Sequence, residues 1–225
     1  MTERTAPPVL IDEVRRDLAP VRPLRRPIVR ALFLLPIGLV LMFGAPVYWG
    51  LRQNLGALSP WASWGLSGLE GLAGLLIVGA ALTEAVPGRR LSARAVALTM
   101  AAGISVPLAI TLATNWMLPA AGTASRAFLD GLECFDMIVV WAVPAVAAPA
   151  WLAARAWPER PAVAGAFYGL GTGVMADAGA RLFCRISSPT HVIVSHGLAL
   201  LAVTVAGAAF AALIDRWGMA KRLRR

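Results

Sequence analysis

Apolar residues run in six long stretches along the chain, at about residues 31–50, 66–86, 96–114, 134–154, 162–183 and 191–214, with short polar connections between them. A helix that crosses a bilayer needs about 20 predominantly apolar residues, so these runs predict six spanning helices. The third is the shortest, with Arg94 and Asn115 at its flanks. A soluble bundle would alternate apolar and polar faces through each segment, whereas Leu, Ala, Val and Gly here occupy the whole circumference. An outer-membrane barrel would need alternating strands with a polar lumen face, which the pattern lacks. Helices, which satisfy their own backbone groups, are the expected spanning elements.

Basic residues then orient the bundle. Placing both termini and the second and fourth connections on one side collects 17 of the 21 there: seven before residue 31, then Arg89, Arg90, Arg94, Arg155, Arg160, Arg216, Lys221, Arg222, Arg224 and Arg225. Arg52, Arg126, Arg181 and Arg185 remain on the other side. Positive charge favours the cytoplasm in short loops, so the expectation is an all-α polytopic protein of an inner membrane, with both termini cytoplasmic. It divides into a cytoplasmic segment 1–30, a six-helix membrane domain 31–214 and a basic tail 215–225. The net charge of +9 is accounted for by topology and anionic headgroups, without direct nucleic-acid binding. Residues 1–30 hold four acidic and seven basic residues and no cleavage site, so they do not form a signal peptide.

That leading segment is the largest surface expected outside the bilayer. Leu10, Val14 and Leu18 recur every four residues and would line one face of a short helix, after which Pro20, Pro23 and Pro27 break up a basic stretch containing Arg22, Arg25 and Arg26. About ten residues make a helix that is marginal alone in water, so it would gain order by docking on the membrane surface or on a protein. Within the spans, Pro36, Pro46, Pro107, Pro144 and Pro149 are sites of local kinks, and the small residues from Gly65 to Gly74 suit close helix contact. Gly169, Gly171 and Gly173 resemble part of a nucleotide loop but lack the strand, turn and helix that such a loop needs.

Chemistry concentrates on two cysteines. With the expected topology, Cys134 opens the fourth span and Cys184 closes the fifth on the same non-cytoplasmic side, a compartment that permits disulfides in a Gram-negative cell. Small buried hydrophobes are the plainer alternative for both. Glu133 and Asp136 flank Cys134 and would oppose its ionisation; Arg181, paired i,i+4 with Asp177, and Arg185 would favour thiolate at Cys184. His191 and His196 at the start of the sixth span bring imidazoles to the same rim, where Cys and His together bind a soft or borderline ion. The spacing contains no compact ligand framework, so the expected metal is transient, with no constitutive cofactor.

Taken in order, several features make the chain resemble the NrsF-like integral-membrane anti-sigma factors. They are Leu10-Ile11-Asp12 leading through Leu18 to Pro27, Pro87-Gly88-Arg89, Cys134, Pro161, Gly165, Gly169, Cys184 and Ser195-His196. The resemblance covers nearly the whole chain. It implies that the N-terminal segment, with Leu10, Ile11, Val14, Leu18, Arg22, Arg25 and Arg26 as candidate contacts, sequesters an extracytoplasmic-function sigma factor. It also implies that the membrane bundle senses a metal or oxidative signal through Cys134 and Cys184; Asp136, Arg181 and His196, expected near the same rim, are secondary candidates by position. Ser195 stands where the family often has an aromatic residue.

Two other classes compete with this reading. A transporter would use Asp136, Asp177 and Arg181 as an ion path, although no inverted repeat is evident. A membrane thiol oxidoreductase would relay electrons through the cysteines, yet neither lies in a Cys-x-x-Cys motif and no second pair is present. An enzyme is therefore not expected.

Overall fold

The computed structural model describes residues 9, 12–13, 24–53, 55–117, 129–184, 186 and 188–222. Of the candidate partner contacts, Leu10, Ile11, Val14, Leu18 and Arg22 lie outside the described residues, while Arg25 and Arg26 are exposed. Among the described residues, five helical segments have the length and composition of membrane spans: Pro27–Trp49, Trp61–Glu84, Ala93–Met117, Leu132–Ala154 and Pro189–Trp217. The protein is an all-α polytopic membrane protein.

Prolines set the local breaks. The first span divides into α1 (Pro27–Leu32) and α2 (Leu35–Trp49), because Pro36 has no N–H to offer the Leu32 carbonyl and is accommodated in the first turn of the new helix. A π-helical turn, Trp61–Gly65, leads into α3 (Leu66–Glu84). The third span, α4 (Ala93–Met117), has 25 residues, longer than its apolar run because polar residues at both ends stay helical. The fourth comprises α5 (Leu129–Ala145) and α6 (Ala147–Ala154), separated at Val146 between Pro144 and Pro149. The final helix, α8 (Gly197–Arg222), carries most of the expected basic tail as continuous helix.

The remaining segment, α7 (Pro161–Phe183), has 23 residues but is not among the five most apolar. It forms the axis of the bundle, packed against α2, α3, α5 and α8, and every residue from Phe167 to Ala180 is buried. Lipid selects apolar side chains, whereas neighbouring helices select small ones. Gly165 therefore meets the carbonyl of Gly207, and Gly171 meets that of Gly74, at distances where any Cβ would strike backbone. These contacts explain the glycine run in α7, and within the 65–74 stretch they single out Gly74. Gly171→Val is expected to lower the melting temperature of the detergent-solubilised protein strongly, since overpacking costs about 1–3 kcal/mol even where side chains can give way. Thermal unfolding by intrinsic fluorescence checks it; an unchanged midpoint would reject close α3–α7 packing.

Direction alternates along the chain. Gly165 faces Gly207 and Gly173 faces Leu200, so α7 and α8 are antiparallel; Gly38 faces Met175 and Gly179 faces Leu41, so α2 and α7 are parallel. Large apolar side chains point outward, among them Leu39, Val47, Leu76, Ile104, Val140 and Leu201, while Glu70, Glu84 and Asp177 are buried. This reverses the arrangement of a water-soluble fold and matches a lipid-facing exterior.

Candidate thiol and imidazole sensor site

Cys134, in the first turns of α5, and Cys184, which ends α7, are both free and buried, with their sulfurs 3.0 Å apart. The antiparallel course of α5 and α7 brings together residues that stand 50 apart in sequence. The separation exceeds the roughly 2.05 Å of a disulfide. It is shorter than the spacing of about 3.8 Å implied by two sulfurs each bound about 2.3 Å from one tetrahedral ion. Either state is within about an ångström of the present geometry.

The histidines arrive by an unusual local route. Ser188 Oγ accepts from the His191 backbone N–H at 3.3 Å, starting the single turn Pro189–His191, and a π-helical turn, Val192–His196, follows. In an α-helix, residues five apart point about 140° away from each other. The i→i+5 bonding of a π turn stacks them instead, and the two rings lie edge to face with centroids 5.3 Å apart. His191 Nε2 is 3.3 Å from Cys184 Sγ. One donor atom from each of Cys134, Cys184, His191 and His196 lies within 4.8 Å of the other three, and all four residues are buried. The compact ligand framework missing from the sequence spacing is therefore assembled by tertiary packing.

Two thiols and two imidazoles fit a soft or borderline divalent ion in tetrahedral coordination. Two buried ring nitrogens that have no partner among the described residues, His191 Nδ1 and His196 Nε2, agree with a site that has unused donor capacity. A polar cavity of about 30 Å³ adjoins Cys184 and His196, bordered by Arg52, Ser63, Ser67, Thr111 and Arg181.

A buried ionic network continues from His196. Its Nδ1 bonds Asp177 Oδ1; Asp177 Oδ2 lies 3.4 Å from Arg181 Nη2, and Arg181 Nε pairs with Glu70. Arg181 Nη2 also donates to the carbonyl of Pro107 at 2.7 Å. The i,i+4 pair expected on the fifth span is present, but Arg181 directs its guanidinium to carboxylates, and the imidazoles are the groups placed against the thiols. Asp136 and Glu133 are exposed, although both are sequence neighbours of Cys134. Arg185 lies outside the described residues. Asp136, Asp177 and Arg181 thus fail to converge on one path. Sequence reasoning passed over Glu70, although a lone carboxylate in an apolar span signals a partner, because nothing local identified Arg181 as that partner.

A second network closes the opposite end. Arg160 grips Glu84 with two bonds, Nε to Oε1 at 2.7 Å and Nη2 to Oε2 at 2.8 Å, and also donates to the carbonyl of Leu91 at 2.9 Å. Its guanidinium pKa is raised, chiefly by hydrogen bonding to Glu84. Glu159 accepts from the Gly88 N–H at 3.1 Å, joining the same two connections. Arg30, buried in α1, donates to the carbonyl of Leu152 in the last turn of α6. That carbonyl is released from the helix because the Ala156 N–H bonds Ala153 instead, so a cation from α1 caps the span that carries Cys134.

A search of curated proteins and a search of solved structures each returned no match. A family model described as negative regulator of sigma F does match, across residues 15–217, and so takes in the bundle and all four residues of the site. The family is regulatory, not catalytic, which agrees with a site rich in thiols but without a second redox pair. On this match over nearly the whole length, the chain belongs to the NrsF family.

Proposed function

We propose that this protein is an inner-membrane anti-sigma factor that holds an extracytoplasmic-function sigma factor through its cytoplasmic N-terminal segment. It releases that factor when a thiophilic metal or an oxidant acts on Cys134 and Cys184. The observation that carries the reading is the sulfur pair flanked by two buried imidazoles, 3.0 Å between sulfurs, in a chain of a sigma-regulating family. Six spans with both termini cytoplasmic are supported by the alternating helix directions and by the basic residues gathered at one face. Arg160, Arg90 and Arg89 fall at the cytoplasmic end in this orientation, and the thiols fall at the periplasmic end.

Coupling follows from the helix that joins the two ends. Ligation or oxidation at Cys134 displaces α5, and α6 continues that span to Leu152, whose carbonyl Arg30 caps. Arg30 is the last residue of the proposed sigma-binding segment 1–30. A shift of α6 therefore changes the anchorage of the segment that holds the partner. For this to act as a switch, the signal must bind the released and inhibitory states with different affinity.

Orientation is testable directly. In a cysteine-free background, single cysteines introduced in 51–65 or near residue 187 are expected to react with a membrane-impermeant maleimide added to intact spheroplasts. Cysteines near residues 89, 158 and 222 should react only after lysis. The opposite labelling would put the N-terminal segment in the wrong compartment for a sigma factor and end the proposal.

A further inference from the structure

We infer that Asp177 is the positioning residue of the metal site, holding His196 so that Nε2 is its ligating nitrogen. The inference rests on the metal-binding form of the function proposed above and extends it to a residue outside the four donors. A carboxylate only accepts hydrogen bonds, so in the pair between His196 Nδ1 and Asp177 Oδ1 the hydrogen belongs to the imidazole. Nδ1 is thereby committed, and the nitrogen left with a free lone pair is Nε2, which is buried and has no hydrogen-bond partner among the described residues. Its ring lies against that of His191, whose own Nε2 is 3.3 Å from Cys184 Sγ.

Asp177 is itself held. It is fully buried on the axial helix α7, where Arg181, one turn further along, pairs with its second oxygen and with Glu70 on α3. Arg181 is anchored again on the Pro107 carbonyl of α4. The carboxylate is thus fixed by three helices before any ion arrives. A carboxylate behind a ligating imidazole fixes the ring and raises its donor strength, and loss of such a partner typically costs about 10–100-fold in metal affinity. Glu70 belongs to the same buried network, but its ionic partner is Arg181, so it acts on the imidazole at one remove and its loss should cost less than that of Asp177.

The test uses the full chain purified in detergent and Co(II) as the probe. Wild-type protein is expected to give the visible d–d and sulfur-to-cobalt bands of a tetrahedral site with two thiolates. Asp177→Asn should bind Co(II) about 10–100-fold more weakly with the same band pattern, Asp177→Glu should recover part of the loss, and Glu70→Gln, which acts on the imidazole only through Arg181 and Asp177, should lose less than Asp177→Asn. Equal affinity in Asp177→Asn and wild type overturns the inference, as does an equal loss in Glu70→Gln. Absence of thiolate bands in wild type would instead reject the metal reading itself, and the inference with it. A measurement on the unsubstituted protein guards against a variant that does not fold: with ¹⁵N-histidine and ¹¹³Cd, scalar coupling should appear at His196 Nε2. Coupling at Nδ1, or none at His196, overturns the assignment.

Discussion

Serine at both Cys134 and Cys184 is expected to hold transcription from the partner sigma factor's promoters at its uninduced level under metal or oxidant challenge, while membrane insertion and sigma-factor retention persist. The reason is energetic as well as chemical. Moving a two-state protein from about 1:99 to about 99:1 requires a ligand that prefers one state by about 5.5 kcal/mol. Thiolate coordination is strong enough for that, with apparent binding of about 10–16 kcal/mol in structural zinc peptides, and a serine hydroxyl is not. Each single serine variant should lose the response as fully as the double, because sulfurs 3.0 Å apart act as one unit and a disulfide or a shared ion needs both. The imidazoles separate the two signals. His191→Ala and His196→Ala should weaken induction by metal but leave induction by oxidant near wild type, since a disulfide uses no imidazole. Reporter assays paired with thiol-state mapping of the same cultures measure all of this. Full induction in the double serine protein would reduce the cysteines to packing residues.

The second large effect concerns the partner. Deleting residues 1–30 is expected to release a co-expressed sigma factor from membranes and to raise its target transcripts without any stress. Leu10→Asp and Leu18→Asp should each do most of this while the bundle remains inserted, because an apolar anchor at an interface is often worth 2 kcal/mol or more, about 30-fold in affinity. Co-purification with the membrane fraction and transcript levels are the two measurements, and retention of the partner by the deleted protein would refute the assignment. Arg25 and Arg26 deserve separate substitution. Arg25 already lies over the ring of Phe33, 5.3 Å from guanidinium to centroid, a contact that fixes the entry to α1 whether or not a partner is bound. Altering these arginines should therefore change the rate and salt dependence of association more than its strength.

The membrane class of this protein was legible in its residues, because lipid imposes a simple demand: about 20 apolar side chains in a row. The approach of the cysteines was legible too, since both stand near span ends, and their sulfurs lie 3.0 Å apart. What the pattern overstated was uniformity. The segment at 162–183 reads as one apolar run among six, yet its helix is the axis that the others surround, and it carries glycines, Asp177 and Arg181 that a lipid-facing helix would not tolerate.

Only the tertiary structure decided the site. His191 and His196 stand five apart, a spacing that separates them on an α-helix and unites them on the π turn that forms here. Asp136, adjacent in sequence to the thiol region, is exposed, while Glu70, 111 residues from Arg181, is its closest ionic partner. Local pattern records what each residue must face, lipid or protein. Which protein group it faces depends on how helices far apart in sequence dock, and docking here is governed by where glycine lets backbones touch and where buried charges find their opposites.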